Sequence, residues 1–301
     1  MGGQPALFLH HRTDLRPHRR KSHLLMENLT LEELCVHQVC IWKKSSFRES
    51  LECMARSGVL KTAVWKPLLD ETELKSAKQN LIDSGVKAIS MCPLVLLDED
   101  AYPDPNGRLS SHRKFLEIAA ELGVESVVVI TGGLPSGSRD LKGQRLRVQE
   151  ELSLLIPLAK AVGVRLALEP LHPMVCGHRS VISTLSEANE ILDSLDANET
   201  LGIAVDSYAL WWDSSLKKQI ERSGQRLLNF HVSDWLPETR DVRLDRGMPG
   251  DGIIDNRLIR SWMEKAGFQG SVEVEILSEF NWWKQEPEVV LQSIVKSLPN
   301  L

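Results

Sequence analysis

A closed parallel (βα)8 barrel in the α/β class is the fold the sequence predicts, and three observations predict it. From residue 34 onward an amphipathic helix ends in glycine and a β-branched apolar run begins within a residue or so, again and again. Eight apolar runs alternate in this way with eight segments of helical length, each long enough to cover its strands. No GxGxxG loop follows an early run, which removes the usual sign of an open doubly wound sheet.

The glycine junctions are SGVLKTAVW (57–65), SGVKAIS (84–90), LGVESVVVI (122–130), VGVRLALE (162–169) and GFQGSVEVE (267–275). Glycine suits the junction because a helix C-cap takes a left-handed conformation that costs it nothing. Runs at 34–41, 201–205 and 227–232 complete the eight strands without that signature. Helices are expected near 46–57, 71–83, 111–122, 144–162, 180–195, 214–223, 256–266 and 286–298. In the fourth, Val148, Leu152, Leu155 and Ala159 keep a helical stripe, and Pro157 should kink it. The one glycine-rich loop, TGGLPSGS (131–138), matches neither a dinucleotide fingerprint nor a P-loop; it reads as a turn, or more weakly as a nest for a phosphate or sugar oxygen.

Composition bounds the partners. Hydrophobic residues make up 42% of the 301 and charged residues 26%, the balance of a soluble globular chain. The net charge of −5 is uneven: before Met26 five basic residues face Asp14 alone, a balance of +4, so the remainder carries −9. An acidic body argues against a nucleic-acid partner. Cys35, Cys40, Cys53, Cys92 and Cys176 form no CxxC pair and read as reduced, buried thiols of a cytoplasmic protein. No run reaches the length of a membrane helix. Residues 1–30 read as a disordered basic extension, with a transit peptide or an upstream start before Met26 as sharper readings, and 31–301 as the barrel domain.

In such a barrel the C-terminal ends of the strands converge on one mouth, so polar residues at those ends meet in space. Four consecutive strands each end in a ligand-type side chain: Glu169, Asp206, His231 and Glu275. Carboxylates with one imidazole form a hard set, suited to a single divalent ion; Mn²⁺ comes first, with Mg²⁺, Co²⁺ and Zn²⁺ as alternatives. Glu273 points to the same side as Glu275 but sits deeper, so Glu275 is the chosen ligand. His172, Asp234 and Arg246 follow the same strand ends and suit substrate oxygens; an Asp234–Arg246 ion pair is the competing structural reading. Seven of the eight tryptophans, Trp212 among them, fall just beyond strand ends, where indole faces can stack on a sugar ring or simply plug the mouth.

At these residues the sequence resembles the sugar phosphate isomerase/epimerase family, which has the xylose-isomerase-like TIM barrel. LEPLHPM (168–174), VDSYALWWD (205–213), FHVSDW (230–235), DRGMPGDG (245–252) and VEVEI (272–276) carry the resemblance, which spans roughly 34–298. It implies one divalent metal on Glu169, Asp206, His231 and Glu275, with Glu169 and Glu275 doubling as the acid/base pair. The implied chemistry is isomerisation or epimerisation of a sugar or sugar phosphate by proton transfer next to a carbonyl, through an enediolate. A lyase or dehydratase of a keto-sugar or inosose and a non-catalytic sugar-binding subunit are the alternatives. The expected partner is a small sugar or polyol, with self-association of the chain as an added option and neither nucleic acid nor membrane. One departure stands out: Ala209 replaces the histidine that family members commonly carry three residues after the metal-binding aspartate.

Overall fold

The computed structural model describes residues 28–98, 101 and 103–301, so most of the expected N-terminal extension lies outside the described residues. Eight parallel strands close into a barrel: β1 (Leu34–His37), β2 (Lys61–Trp65), β3 (Lys87–Val95), β4 (Ser126–Ile130), β5 (Arg165–Leu168), β6 (Leu201–Asp206), β7 (Leu227–Val232) and β10 (Val272–Val274). The barrel is closed by the parallel pairing of β1 with both β2 and β10. Two further strands, β8 (Asp234–Trp235) and β9 (Arg246–Gly247), form a short antiparallel ribbon over the mouth, after β7.

The helices are α1 (Phe47–Arg56), α2 (Lys66–Asp70), α3 (Leu74–Ser84), α4 (Pro105–Glu121), α5 (Leu141–Val162), α6 (Leu185–Leu195), α7 (Ser207–Leu210), α8 (Leu216–Ser223), α9 (Asn256–Lys265) and α10 (Pro287–Ser297). All eight expected helices form, and α5 runs through Pro157 as one helix. Their starts follow cap chemistry rather than apolar period. Helix α6 begins at Leu185 rather than near 180 because Thr184 accepts from the Glu187 amide while Glu187 reaches back, a capping box of about 1 kcal/mol. Helix α4 begins six residues before its expected start, because Asp104 accepts from the Gly107 amide at 2.8 Å and Pro105 presets the first turn. Strand β1 is four residues long, not eight: Gln38, Val39 and Cys40 turn into a 3-10 helix that stays buried, so the apolar run continues after the strand has ended.

The core is continuous from the barrel interior to the helix layer. All five cysteines are free; four are buried and Cys176 is half-buried. In the glycine-rich loop, a Cβ on Gly133 would lie 2.4 Å from the His178 backbone, and Leu134 N–H donates to the Gly177 carbonyl at 3.0 Å. Close packing of two mouth loops therefore accounts for that glycine. Among the described residues, no helix is long and apolar enough to cross a membrane.

Candidate active site at the barrel mouth

The strand ends bring most of the expected residues together. Glu169 directly follows β5, Asp206 ends β6, His231 lies next to the end of β7 and Glu275 directly follows β10. Register sets them side by side, with Asp206 opposite His231 and Glu273 opposite His231 on its other flank. All are at most 5% exposed, so their charges interact with little screening from water.

His231 Nδ1 lies 2.8 Å from Glu169 Oε1 and 3.9 Å from Glu275 Oε2, and ligand atoms of these three residues gather within 4.8 Å of one another. Asp206 joins them through a cation: Arg246 Nη1 is 3.0 Å from both Asp206 Oδ2 and Glu275 Oε2. The guanidinium also lies over the Tyr208 ring, 4.5 Å from its centroid, which fixes its plane. Its buried Nε–H has no protein acceptor.

His37 belongs to the site although sequence reasoning passed it over. It ends β1, with Nε2 3.2 Å from Glu273 Oε2 and Nδ1 3.5 Å from Glu275 Oε1, and its ring meets His231 edge-on at 4.6 Å. Glu273 sits below the mouth, as expected, and there it accepts from Ser90 at 2.7 Å and Asn229 at 2.6 Å.

The electrostatics are those of too many buried carboxylates for the cations at hand. Burial alone would lower the His231 pKa, but Glu169, Glu273 and Glu275 outweigh it and raise it to about 10. Asp206 is pushed up to about 6 by burial, with Glu275 and Glu169 adding to the rise against the pull of Arg246. Glu275 is held well below the usual carboxylate range: burial opposes this, and Arg246 and His37 overcome it. A divalent ion would supply the missing positive charge. Three ligand atoms within reach, a carboxylate-rich donor set and an imidazole that holds a proton in the ion's place all fit one.

This gives a pH dependence. The folded His231 value lies above the 6.5 of an ordinary imidazole, so its stabilising charge is fully present below pH 6.5 and lost as pH rises toward 10. The chelator-treated protein is expected to lose thermal stability steadily between about pH 7 and 9.5. A melting temperature that rose over that interval would contradict the assignment.

The other expected substrate contacts separate. His172 lines the cavity; burial lowers its pKa, so the ring is neutral, and its Nδ1 accepts from the Met174 amide at 3.2 Å, which leaves Nε2–H as the donor. Asp234 does not line the cavity. Its carboxylate accepts from the amides of Trp235 at 2.9 Å, Gly250 at 2.8 Å and Ile254 at 2.9 Å, so it organises the loop that carries Arg246. The Asp234–Arg246 pair does not form, since Arg246 is committed to Asp206 and Glu275. Trp212 is 38% exposed, donates Nε1–H to the Ala209 carbonyl at 2.7 Å and meets His172 edge-on, outside the cavity wall. Among the described tryptophans, Trp65 lines the cavity and packs against Trp42, which also meets Trp283, while Trp211 packs on Trp235.

The cavity opens to solvent, its empty space of about 580 Å³ including the open part, and is walled by Ile130, Leu171, Val175 and Leu277 on its apolar side. Ala209 lines it, 2% exposed, where a histidine would take space. Two residues that sequence reasoning missed, Arg179 and Arg243, line it as well.

Residues 53–294 match the xylose isomerase-like TIM barrel family. The chain belongs to that family. An inosose isomerase of Bacillus velezensis is 26% identical over 203 residues, covering 64% of this chain and 67% of the relative. Protein SMc04130 of Sinorhizobium meliloti 1021 has a crystal structure that superposes with a TM-score of 0.85 at 36% identity, covering 90% of this chain and 98% of that one. The IOLI protein, whose crystal structure holds a zinc atom, superposes at 0.75 with 21% identity over 88% of this chain and 96% of its own. At that identity the likeness is one of fold.

Proposed function

We propose that the protein is a divalent-metal-dependent isomerase or epimerase of a sugar or cyclic polyol ketone, moving a proton at the carbon next to the carbonyl. The observation that carries this reading is the pair of buried glutamates, Glu169 and Glu275, gathered about His231 at the floor of one cavity. The inosose isomerases among the chain's relatives support the substrate class, since an inosose is a cyclic polyol ketone.

Glu169, His231 and Glu275 would hold the ion, with Asp206 as the fourth ligand once its oxygen turns from Arg246. When bound, a divalent ion lowers the energy of the enediolate by countering negative charge on the substrate oxygens. Mn²⁺ is the ion we propose, from the oxygen-rich donor set; zinc is the competitor. The protein's own groups do the rest. One glutamate takes the proton from carbon and the other returns one from the opposite face. Return to the same carbon gives epimerisation, and return to its neighbour gives isomerisation. Arg246 Nε–H and His172 Nε2–H are donors free to orient substrate oxygens near the floor, and the apolar wall limits the access of bulk water to the reacting carbon.

Incorporation of solvent deuterium into ketose and inosose substrates tests the reading before any product is known. Chelation of the metal should lower incorporation about 10³-fold, the equivalent of several kcal/mol of charge stabilisation, and Mn²⁺ should restore it. Undiminished exchange in a metal-free preparation would sink the proposal.

A further inference from the structure

The loops after β5 and β7 each send an arginine into the cavity, Arg179 and Arg243. Other arginines of the mouth are matched to carboxylates: Arg240 pairs with Asp245, and Arg246 with Asp206 and Glu275. Arg179 and Arg243 have no carboxylate partner among the described residues, yet they lie close enough for the charge of Arg243 to depress the Arg179 pKa, after burial, the larger cause. Arg179 is half-buried and Arg243 exposed at the cavity's outer edge; Glu169 and Glu275 draw on Arg179 only from a distance, so the mutual repulsion of the two guanidiniums is a cost that a bound anion relieves.

The placement of charge along the cavity points the same way. Two buried carboxylates, Glu169 and Glu275, line its floor, whereas Arg179 and Arg243 line it without an ion pair to either. A divalent ion at the floor would take up the carboxylate charge there and leave the two guanidiniums facing the substrate. A neutral polyol offers them no opposite charge; an anionic one does.

We propose that Arg179 and Arg243 form an anion subsite at the cavity rim, so that the substrate is a polyol ketone carrying a carboxylate or a phosphate away from its reacting carbonyl. This rests on the proposed function above and narrows it. Planar forks from two different loops suit the oxygens of either group, and Val242, beside Arg243, extends the apolar wall of Ile130, Leu171 and Val175 toward the anion. The glutamates act on carbon at the floor, while the arginines hold the charged end at the rim.

The test uses the full chain loaded with Mn²⁺ and three matched substrates: a neutral ketose, its phosphate monoester and the corresponding keto-uronate. Deuterium incorporation on one of the two anions should exceed that on the neutral ketose about 30-fold in kcat/KM, the size of one or two charge-assisted hydrogen bonds. Which anion wins identifies the source of the charge. Arg179→Met and Arg243→Met should each raise KM for the anion about 10-fold at nearly constant kcat, as expected for loss of uniform binding, and leave the neutral ketose within about twofold. Arg179→Lys and Arg243→Lys should recover part of the loss, which a folding defect would not do.

Equal use of neutral and anionic ketoses, or equal damage to both in the methionine variants, overturns the subsite and leaves the proposed function standing. Calorimetry with inorganic phosphate and with gluconate separates the opposite case. If no ketose exchanges but the native protein binds one of these anions and the double methionine variant does not, the subsite stands and the proposed reaction falls. Binding of neither, or undiminished binding to the double variant, overturns the subsite.

Discussion

The Glu275→Gln protein is expected to exchange substrate protons with solvent about 10³-fold more slowly than the native protein while its KM moves only a few-fold. Glutamine keeps the shape of the side chain and its place 3.0 Å from Arg246, but it can neither take a proton nor keep the charge that Arg246 and His37 stabilise. The neighbouring thiol cannot substitute. The Cys92 thiol, 3.9 Å from Glu275, is pushed well above its ordinary value by burial and by the surrounding carboxylates, so it stays protonated.

Because Glu275 is also a proposed metal ligand, the metal content of the variant has to be measured beside its rate. A variant that keeps its metal and loses exchange identifies an acid/base group. One that loses metal and regains full exchange in excess Mn²⁺ identifies a ligand only, and the proton-transfer role then passes to another residue. Glu169→Gln is the matching experiment on the second glutamate, whose Oε1 holds His231 Nδ1 at 2.8 Å.

The acids were legible in the sequence for a physical reason: a carboxylate at the end of an apolar strand has no way to be buried without a partner. Glu169, Asp206 and Glu275 each follow such a run, and His231 ends another. The same rule passed over His37, because LCVHQVCI stays apolar into the buried 3-10 turn and hides the true end of β1. Asp234 looked like a ligand contact because an acid in a mouth loop and an acid that ties a loop together have the same spelling. Only the amides of Trp235, Gly250 and Ile254, two of them 16 and 20 residues downstream, distinguish the two. Arg179 and Arg243 had no signal at all, since a loop arginine facing water and one facing a cavity differ in nothing but where the loop folds. The barrel was the easier inference: its glycine junctions and alternating runs are local, whereas cap chemistry at Thr184 and Asp104 moved only the ends of elements.

Arg246 is where stability and function meet, and Arg246→Met should expose that. In chelator-treated protein at pH 7 the substitution is expected to cost about 3–5 kcal/mol, because it strips the shared cation from two buried carboxylates. Asp206 already titrates near 6 with the guanidinium 3.0 Å away; without it, the value climbs further. A carboxylate whose folded pKa lies above its unfolded one destabilises the fold when ionised, and that penalty fades as pH falls through the folded value. The deficit of Arg246→Met relative to the native protein should therefore shrink between about pH 7 and pH 5, opposite to ordinary acid denaturation. A divalent ion among Glu169, Asp206, His231 and Glu275 would restore positive charge at the same place, so added Mn²⁺ should recover part of the loss at pH 7. Urea unfolding of both proteins at the two pH values, with and without the ion, measures all three effects. A deficit below about 1 kcal/mol, or one that is the same at pH 5 and pH 7, would mean that Arg246 does not carry the charge of Asp206 and Glu275.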